Sequence, residues 1–196
     1  MKKLIKSVFI VALSLSTAGA VGTNDTLYKS NGKELQFENL KPGHTLYIKN
    51  EDGKVMYQKE IDQKGTYTND FDLASLPKGD YRIEIDKDFE IQMIPFTVSE
   101  QVEVMQEKSS VFFKPVVRKK GAYVYISKLA LDNESMKVNV FYNGDTANKG
   151  FDKIYSETLS EDKNLGRVYK LDTDAKGEYK IVVTTKDRTF SKVVKI

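Results

Sequence analysis

The chain has 196 residues, with no Cys, no Trp and a single His. A disulfide, a cysteine nucleophile, a thiolate metal site, a lipidated Cys and any multi-histidine metal or catalytic set are therefore excluded. The formal net charge of +3 comes from three lysines in the first twenty residues, and the remainder balances 28 basic against 28 acidic side chains, so bulk charge gives no support to binding nucleic acid or an anionic membrane surface.

Lys2, Lys3 and Lys6 precede an apolar run from Val8 to Leu15 and the small residues Ala18-Gly19-Ala20. This is the pattern of a secretory signal peptide over residues 1–20, cleaved after Ala20, with an apolar run too short for a stable membrane span. The mature chain is expected in the periplasm, on the cell surface or in the medium, with no integral membrane segment after cleavage.

From there on, apolar residues alternate with polar ones through Leu35/Phe37, Leu46/Ile48, Val55/Tyr57, Phe71/Leu73 and Tyr81/Ile83/Ile85. A period of two in short runs predicts strands half-buried in a sheet. The runs are separated by Asn31-Gly32, Pro42-Gly43, Asp52-Gly53, Lys64-Gly65 and Pro77-Lys78-Gly79, which are turn formers. Asp52-Gly53 predicts a two-residue hairpin with positive φ at both central residues. Residues 99–111 are mostly polar and read as a linker or an extension of the preceding strand.

The remainder of the chain repeats this pattern. At a spacing of 98, Phe71, Leu73, Gly79, Tyr81, Ile83, Ile85, Phe96 and Val98 fall on Tyr169, Leu171, Gly177, Tyr179, Ile181, Val183, Val194 and Ile196. At a spacing of 89, Gly32, Leu35, Phe37 and Leu40 fall on Gly121, Val124, Ile126 and Leu129. The difference is an insertion, most of it placed in the hairpin from Asn143 to Phe151. The repeat predicts two copies of one fold. With about seven short strands in each copy, the fold is all-β: two tandem immunoglobulin-like (fibronectin III-like) antiparallel β-sandwiches after a cleaved signal peptide. The expected domains are residues 21–98 and 112–196. In Leu76-Pro77-Lys78-Gly79-Asp80-Tyr81, Tyr81 reads as a tyrosine corner, in which the hydroxyl bonds back across the preceding loop, and Tyr179 repeats it.

The segments Glu51-Asp52-Gly53-Lys54-Val55 and Phe71 to Ile83 resemble immunoglobulin-like domains of secreted bacterial proteins. Two such families fit: an uncharacterised β-sandwich family, and the type IX secretion C-terminal sorting domain. The latter shares the hairpin Gly-Lys, the Leu-x-x-Leu-x-x-Gly-x-Tyr corner and a basic-apolar closing strand, here Lys192 to Ile196. It usually opens with Pro-Asn-Pro, where this chain has Lys114-Pro115. The resemblance implies export and a sandwich fold, and it makes a removable sorting signal in residues 112–196 one functional alternative. Asp25-Thr26-Leu27 and Asp145-Thr146-Ala147 are similar to the acceptor pattern for O-glycosylation in bacteria using that route.

Catalytic chemistry finds little support. His44, after Pro42-Gly43, reads as an exposed turn residue, because one imidazole is neither a triad nor a metal set. Asn143, Asp145, Asn148 and Asp152 offer oxygen atoms without the EF-hand spacing, and hairpin-turn chemistry accounts for them. The carboxylate pairs Asp70/Asp72, Asp86/Asp88 and Asp172/Asp174 stand beside turns. With no phosphate loop, nucleophile elbow or zinc-protease motif, no enzyme activity, catalytic residue, metal or cofactor is expected. The aromatics are more informative. If Val124 and Ile126 face inward, Tyr123 and Tyr125 face outward, where the first copy has Glu34 and Gln36. With Phe112 and Phe113 they form the candidate binding face, since amphipathic rings are favoured at interfaces. The expected function is non-catalytic binding or cell-envelope assembly through sandwich faces or edge strands. The partner is an unidentified protein or glycan of the envelope and not nucleic acid, and a carbohydrate-binding module is a further alternative.

Overall fold

The computed structural model describes residues 28–30, 35–68, 70–144 and 150–196. The proposed signal peptide, both Asp-Thr glycosylation patterns and part of the Asn143–Phe151 hairpin lie outside these residues. The described residues form two compact units, one ending at Phe112 and the other running from Phe113 to Ile196.

Nine strands belong to the first part of the chain: β1 (Tyr28–Ser30), β2 (Leu35–Leu40), β3 (Thr45–Asn50), β4 (Val55–Glu60), β5 (Gly65–Thr68), β6 (Gly79–Asp86), β7 (Glu90–Val98), β8 (Val102–Val104) and β9 (Ser110–Phe113). One antiparallel sheet runs β1-β2-β5 and the other β4-β3-β6-β7-β8, with β9 also paired to β7. Residues 99–111, expected as a linker, thus carry β8 and the first half of β9. The second part holds β10 (Val116–Lys120), β11 (Tyr123–Leu129), β12 (Met136–Asn143), β13 (Asp152–Leu159), β14 (Asn164–Lys170), β15 (Glu178–Thr185) and β16 (Arg188–Lys195). Its sheets run β10-β11-β14 and β13-β12-β15-β16.

Each unit is an antiparallel sandwich sharing one strand order, three strands against four, and the first unit extends its larger sheet with β8 and β9. The sequence alternation is what fills the gap between its sheets. In the first unit Leu35 and Phe37 of β2 meet Leu46, Ile48, Ile83, Ile85 and Phe96 of the other sheet. In the second, Val124 and Ile126 meet Val138, Val140, Ile181 and Val183. Burying each such side chain contributes about 1.5–3 kcal/mol, the main stabilisation open to a chain without disulfides.

Strand register locates the insertion. Ile48 pairs with both Ile83 and Tyr57, and Val140 with both Ile181 and Tyr155. The spacing is therefore 92 at β3/β12 and 98 at β4/β13, which assigns the larger part of the insertion to the β12–β13 hairpin. One predicted correspondence shifts. Tyr169 is a strand residue paired with Val124, whereas Phe71 follows β5 in a loop. Their rings nonetheless serve one purpose, because Phe71 packs on Tyr57 with centroids 4.8 Å apart and Tyr169 packs on Tyr155 at 5.7 Å.

Two local expectations are corrected. The β3–β4 turn is longer than two residues: Asn50 N–H donates to Lys54 O at 3.0 Å, and only Gly53 has positive φ, at 81°. The Asn50 side chain accepts the Lys54 N–H at 2.8 Å, so a side chain closes the loop in place of the tight backbone turn. His44 is buried, with 4% of its surface exposed. Its backbone explains this, since its carbonyl accepts from Ile61 N–H while its own N–H donates to Lys41 O, drawing the turn into the end of the sandwich.

Candidate functional site

The outer face of the β10–β11–β14 sheet carries the candidate site. Alternation along β11 buries Val124, Ile126 and Lys128 and exposes Tyr123, Tyr125 and Ser127. Directly paired residues of antiparallel strands share a face, so the pairing register builds three rows: Lys120–Tyr123–Lys170, Arg118–Tyr125–Val168 and Val116–Ser127–Gly166. Tyr123 is 41% exposed and Tyr125 40%, their Cα atoms about 7 Å apart along one strand. Arg118, Lys120 and Lys170 are exposed, and no Asp or Glu occupies any position of the three rows. The matching row of the first unit, Lys29–Gln36–Thr68, has no aromatic ring.

The two phenylalanines grouped with these tyrosines lie elsewhere. Phe112 is 3% exposed and Phe113 is half-buried, and neither is a strand residue of this sheet. Phe112 therefore offers no surface to a partner. The three cations were missed in the sequence because only pairing shows that β10 and β14 flank β11; the run Val116 to Lys120 was the available signal.

The two tyrosines expected at corners each make a hydrogen bond to a backbone carbonyl. Tyr81 OH donates to Pro77 O at 2.7 Å. Tyr179 OH reaches instead to Asp172 O, at 3.4 Å, a longer bond in the copy where Asp174 replaces Leu76.

Four of the six carboxylates weighed as acid/base candidates, Asp70, Asp72, Asp88 and Asp172, are engaged in the framework. In the first unit Tyr57 and Tyr67 lie on β4 and β5, the adjacent outer strands of the two sheets, and both hydroxyls donate to Asp70, Tyr67 at 2.7 Å. These two donors hold the Asp70 carboxyl below its usual range, while burial and then the hydrogen bond with Tyr57 push the Tyr67 hydroxyl up. The second unit ties the same two edges differently: Glu157 on β13 accepts from Tyr169 OH at 2.5 Å and from Arg167 Nε at 3.1 Å on β14. Asp72 accepts from Ala74 N–H at the start of a 3₁₀ turn, Asp88 pairs with Lys41, and Asp172 accepts from Asp174 N–H at 3.0 Å. Among the described residues no group of three His, Asp or Glu could hold a metal ion.

Among the described residues three charged ones, Glu84, Lys87 and Lys128, are buried, and two of them hold networks that went unread. Glu84 on β6 accepts from Lys49 Nζ and Arg82 Nε, each at 2.7 Å. Lys128 on β11 has a fully buried side chain whose Nζ donates to Glu134 Oε1 at 2.6 Å and to the carbonyls of Phe113 and Leu129 at 3.1 and 3.2 Å. Its inward phase, in line with Val124 and Ile126, was the sign that a lysine stood in the core.

No protein-family model matches the chain, and no curated protein matches it significantly. Among solved structures, a chain described as "Biofilm associated protein - BSP domain" is similar at 11% identity and a TM-score of 0.28, over 85% of this chain and 27% of that one. This chain thus spans about a quarter of that neighbour's length.

Proposed function

We propose that this is an exported, non-catalytic binding protein of the cell envelope, engaging its partner through the outer face of the β10–β11–β14 sheet. The observation that carries this reading is the pair Tyr123 and Tyr125, two large rings exposed side by side on a face with no acidic residue. Exposed rings give a partner apolar area and a hydroxyl at little entropic cost. Asp70, Asp72, Asp88 and Asp172 are committed to turns and strand edges, which favours binding over chemistry. A Tyr123→Ala/Tyr125→Ala variant folds normally and is released from the envelope fraction of its native host, whereas wild-type protein is retained. Retention of the variant removes this face from the reading.

Strand addition is a second mode with its own observation. In the first unit β8 and β9 cover the outer edge of β7, but among the described residues β16 pairs only with β15. Ile196 N–H bonds inward to Gly177 O, so by alternation the backbone groups of Lys195, Val193, Ser191 and Thr189 point outward. An open edge of this kind accepts an extended partner segment. Proline at Ser191 blocks such pairing and leaves the ladder to β15 intact. Intact masses from the periplasm, surface and medium test the sorting alternative, which requires a species ending near residues 99–110.

A further inference from the structure

Resting on the reading of the β10–β11–β14 face as the binding surface, we infer that its ligand is an anionic polysaccharide whose rings lie on Tyr123 and Tyr125 and whose carboxylates or sulfates meet Arg118, Lys120 and Lys170. The geometry is a line of rings with cations at its flanks. Lys120 and Lys170 stand on either side of Tyr123, two strand spacings or about 10 Å apart, and Arg118 stands beside Tyr125. None of the three cations forms an ion pair or hydrogen bond with another described residue, in contrast to Lys49, Arg82, Lys128 and Arg167, which all hold carboxylates.

Unpaired cations on a flat sheet are common, but the selection here is one-sided. The chain beyond residue 20 balances its charges one for one, yet this face collects three positive side chains and no negative one. The face therefore has a charge preference that the molecule as a whole lacks, and a guanidinium beside a tyrosine suits a planar carboxylate. The choice between polyanions follows from charge density. Nucleic acid carries a phosphate at every nucleotide and is held by denser and more extended basic surfaces. Three cations interleaved with two rings match a chain of sugar rings bearing about one charge each. Tyrosine faces also favour a ring-bearing polymer over an acidic peptide.

The test uses the purified exported chain with polygalacturonate and with its methyl-esterified form, which keeps the rings and loses the charge. Wild-type protein binds polygalacturonate about tenfold or more tightly than the ester. Three engaged cations give a slope of about −2 to −3 in log affinity against log salt, a loss of roughly 16- to 64-fold from about 50 to about 200 mM salt. Arg118→Ala/Lys120→Ala/Lys170→Ala abolishes this slope. Tyr123→Ala/Tyr125→Ala lowers affinity about tenfold and keeps the slope, and Lys137→Ala, on the other sheet, changes neither. Each variant is first checked for an unchanged melting temperature.

Absence of binding to polygalacturonate, or equal binding to the ester, overturns the inference. So does tighter binding to single-stranded DNA or polyglutamate, which reassigns the face to those polymers. If polygalacturonate fails while the tyrosine variant is still released from the envelope, the charge assignment falls and the binding face stands. If the tyrosine variant is retained, the face itself is wrong.

Discussion

Replacing Lys128 with Met removes one charge from the interior of the second unit and leaves its volume nearly unchanged. Lys128 Nζ serves three acceptors: Glu134 Oε1, Phe113 O and Leu129 O. Glu134 is itself only 8% exposed in its side chain, and its other oxygen accepts from Asp132 N–H at 3.1 Å. Loss of the ammonium leaves a buried carboxylate with one remaining donor and deprives two carbonyls of theirs. Removing one partner of a buried ion pair costs about 3–5 kcal/mol, and methionine fills the stem, so no cavity penalty is added. We therefore expect Lys128→Met to lose about 3–5 kcal/mol in urea unfolding followed by tyrosine fluorescence and circular dichroism. Lys128→Met/Glu134→Leu recovers a large part, because the carboxylate is gone and only the carbonyls remain unsatisfied.

The pH dependence of that variant supplies a sharper sign. Burial raises the Glu134 carboxyl, but the hydrogen bond from Lys128, the backbone bond and the nearby charges together hold it below its usual value. A carboxyl depressed in the folded state adds stability above its unfolded pKa, and this is lost as pH falls from about 5 through the folded value. In Lys128→Met burial is opposed only by the backbone bond and the Lys186 charge, the folded carboxyl rises, and lowering the pH toward its pKa now costs the protein less or stabilises it. A cost below about 1 kcal/mol, or an unchanged pH slope, would refute the claim that Lys128 and Glu134 form a desolvated pair.

Three further substitutions test the framework. Tyr169→Phe removes the hydroxyl that donates to Glu157 at 2.5 Å from a residue 1% exposed, and we expect a loss of about 1.5–3 kcal/mol by urea unfolding. Gly177→Ala is expected to cost more than Gly79→Ala, although φ is 156° and 154°. An added Cβ at 177 would stand 2.4 Å from Asn143 O, whereas at 79 it meets nothing closer than 3.9 Å. Equal melting temperatures for the two variants would contradict this. Thr185 is buried, and its hydroxyl finds no hydrogen-bond partner among the described residues, so Thr185→Val is expected to raise stability by about 1 kcal/mol.

Alternation in Leu35/Phe37, Leu46/Ile48 and Tyr81/Ile83/Ile85 reported directly which side chains face the core, because a strand has only two faces and one of them must exclude water. The polar network was less legible, since Asp70, Glu157 and Glu84 find their partners across strands. His44 was misread because a proline-glycine turn says nothing about what it packs beneath.

The order of apolar and polar residues along this chain was enough to specify an all-β architecture, the inward faces of β2, β3, β6 and β11 and the exposure of Tyr123 and Tyr125, since each follows from local periodicity and the need to bury apolar area. The charge around those tyrosines was only partly local, since Arg118 and Lys120 precede β11 across the short turn at residues 121–122. Lys170 on β14 meets β11 only through pairing with a strand distant in sequence, and such partners are chosen by the packing of the whole sandwich. The tertiary fold thus turns two exposed rings into a basic, ring-lined surface and places Lys128 in the core beneath the same strand.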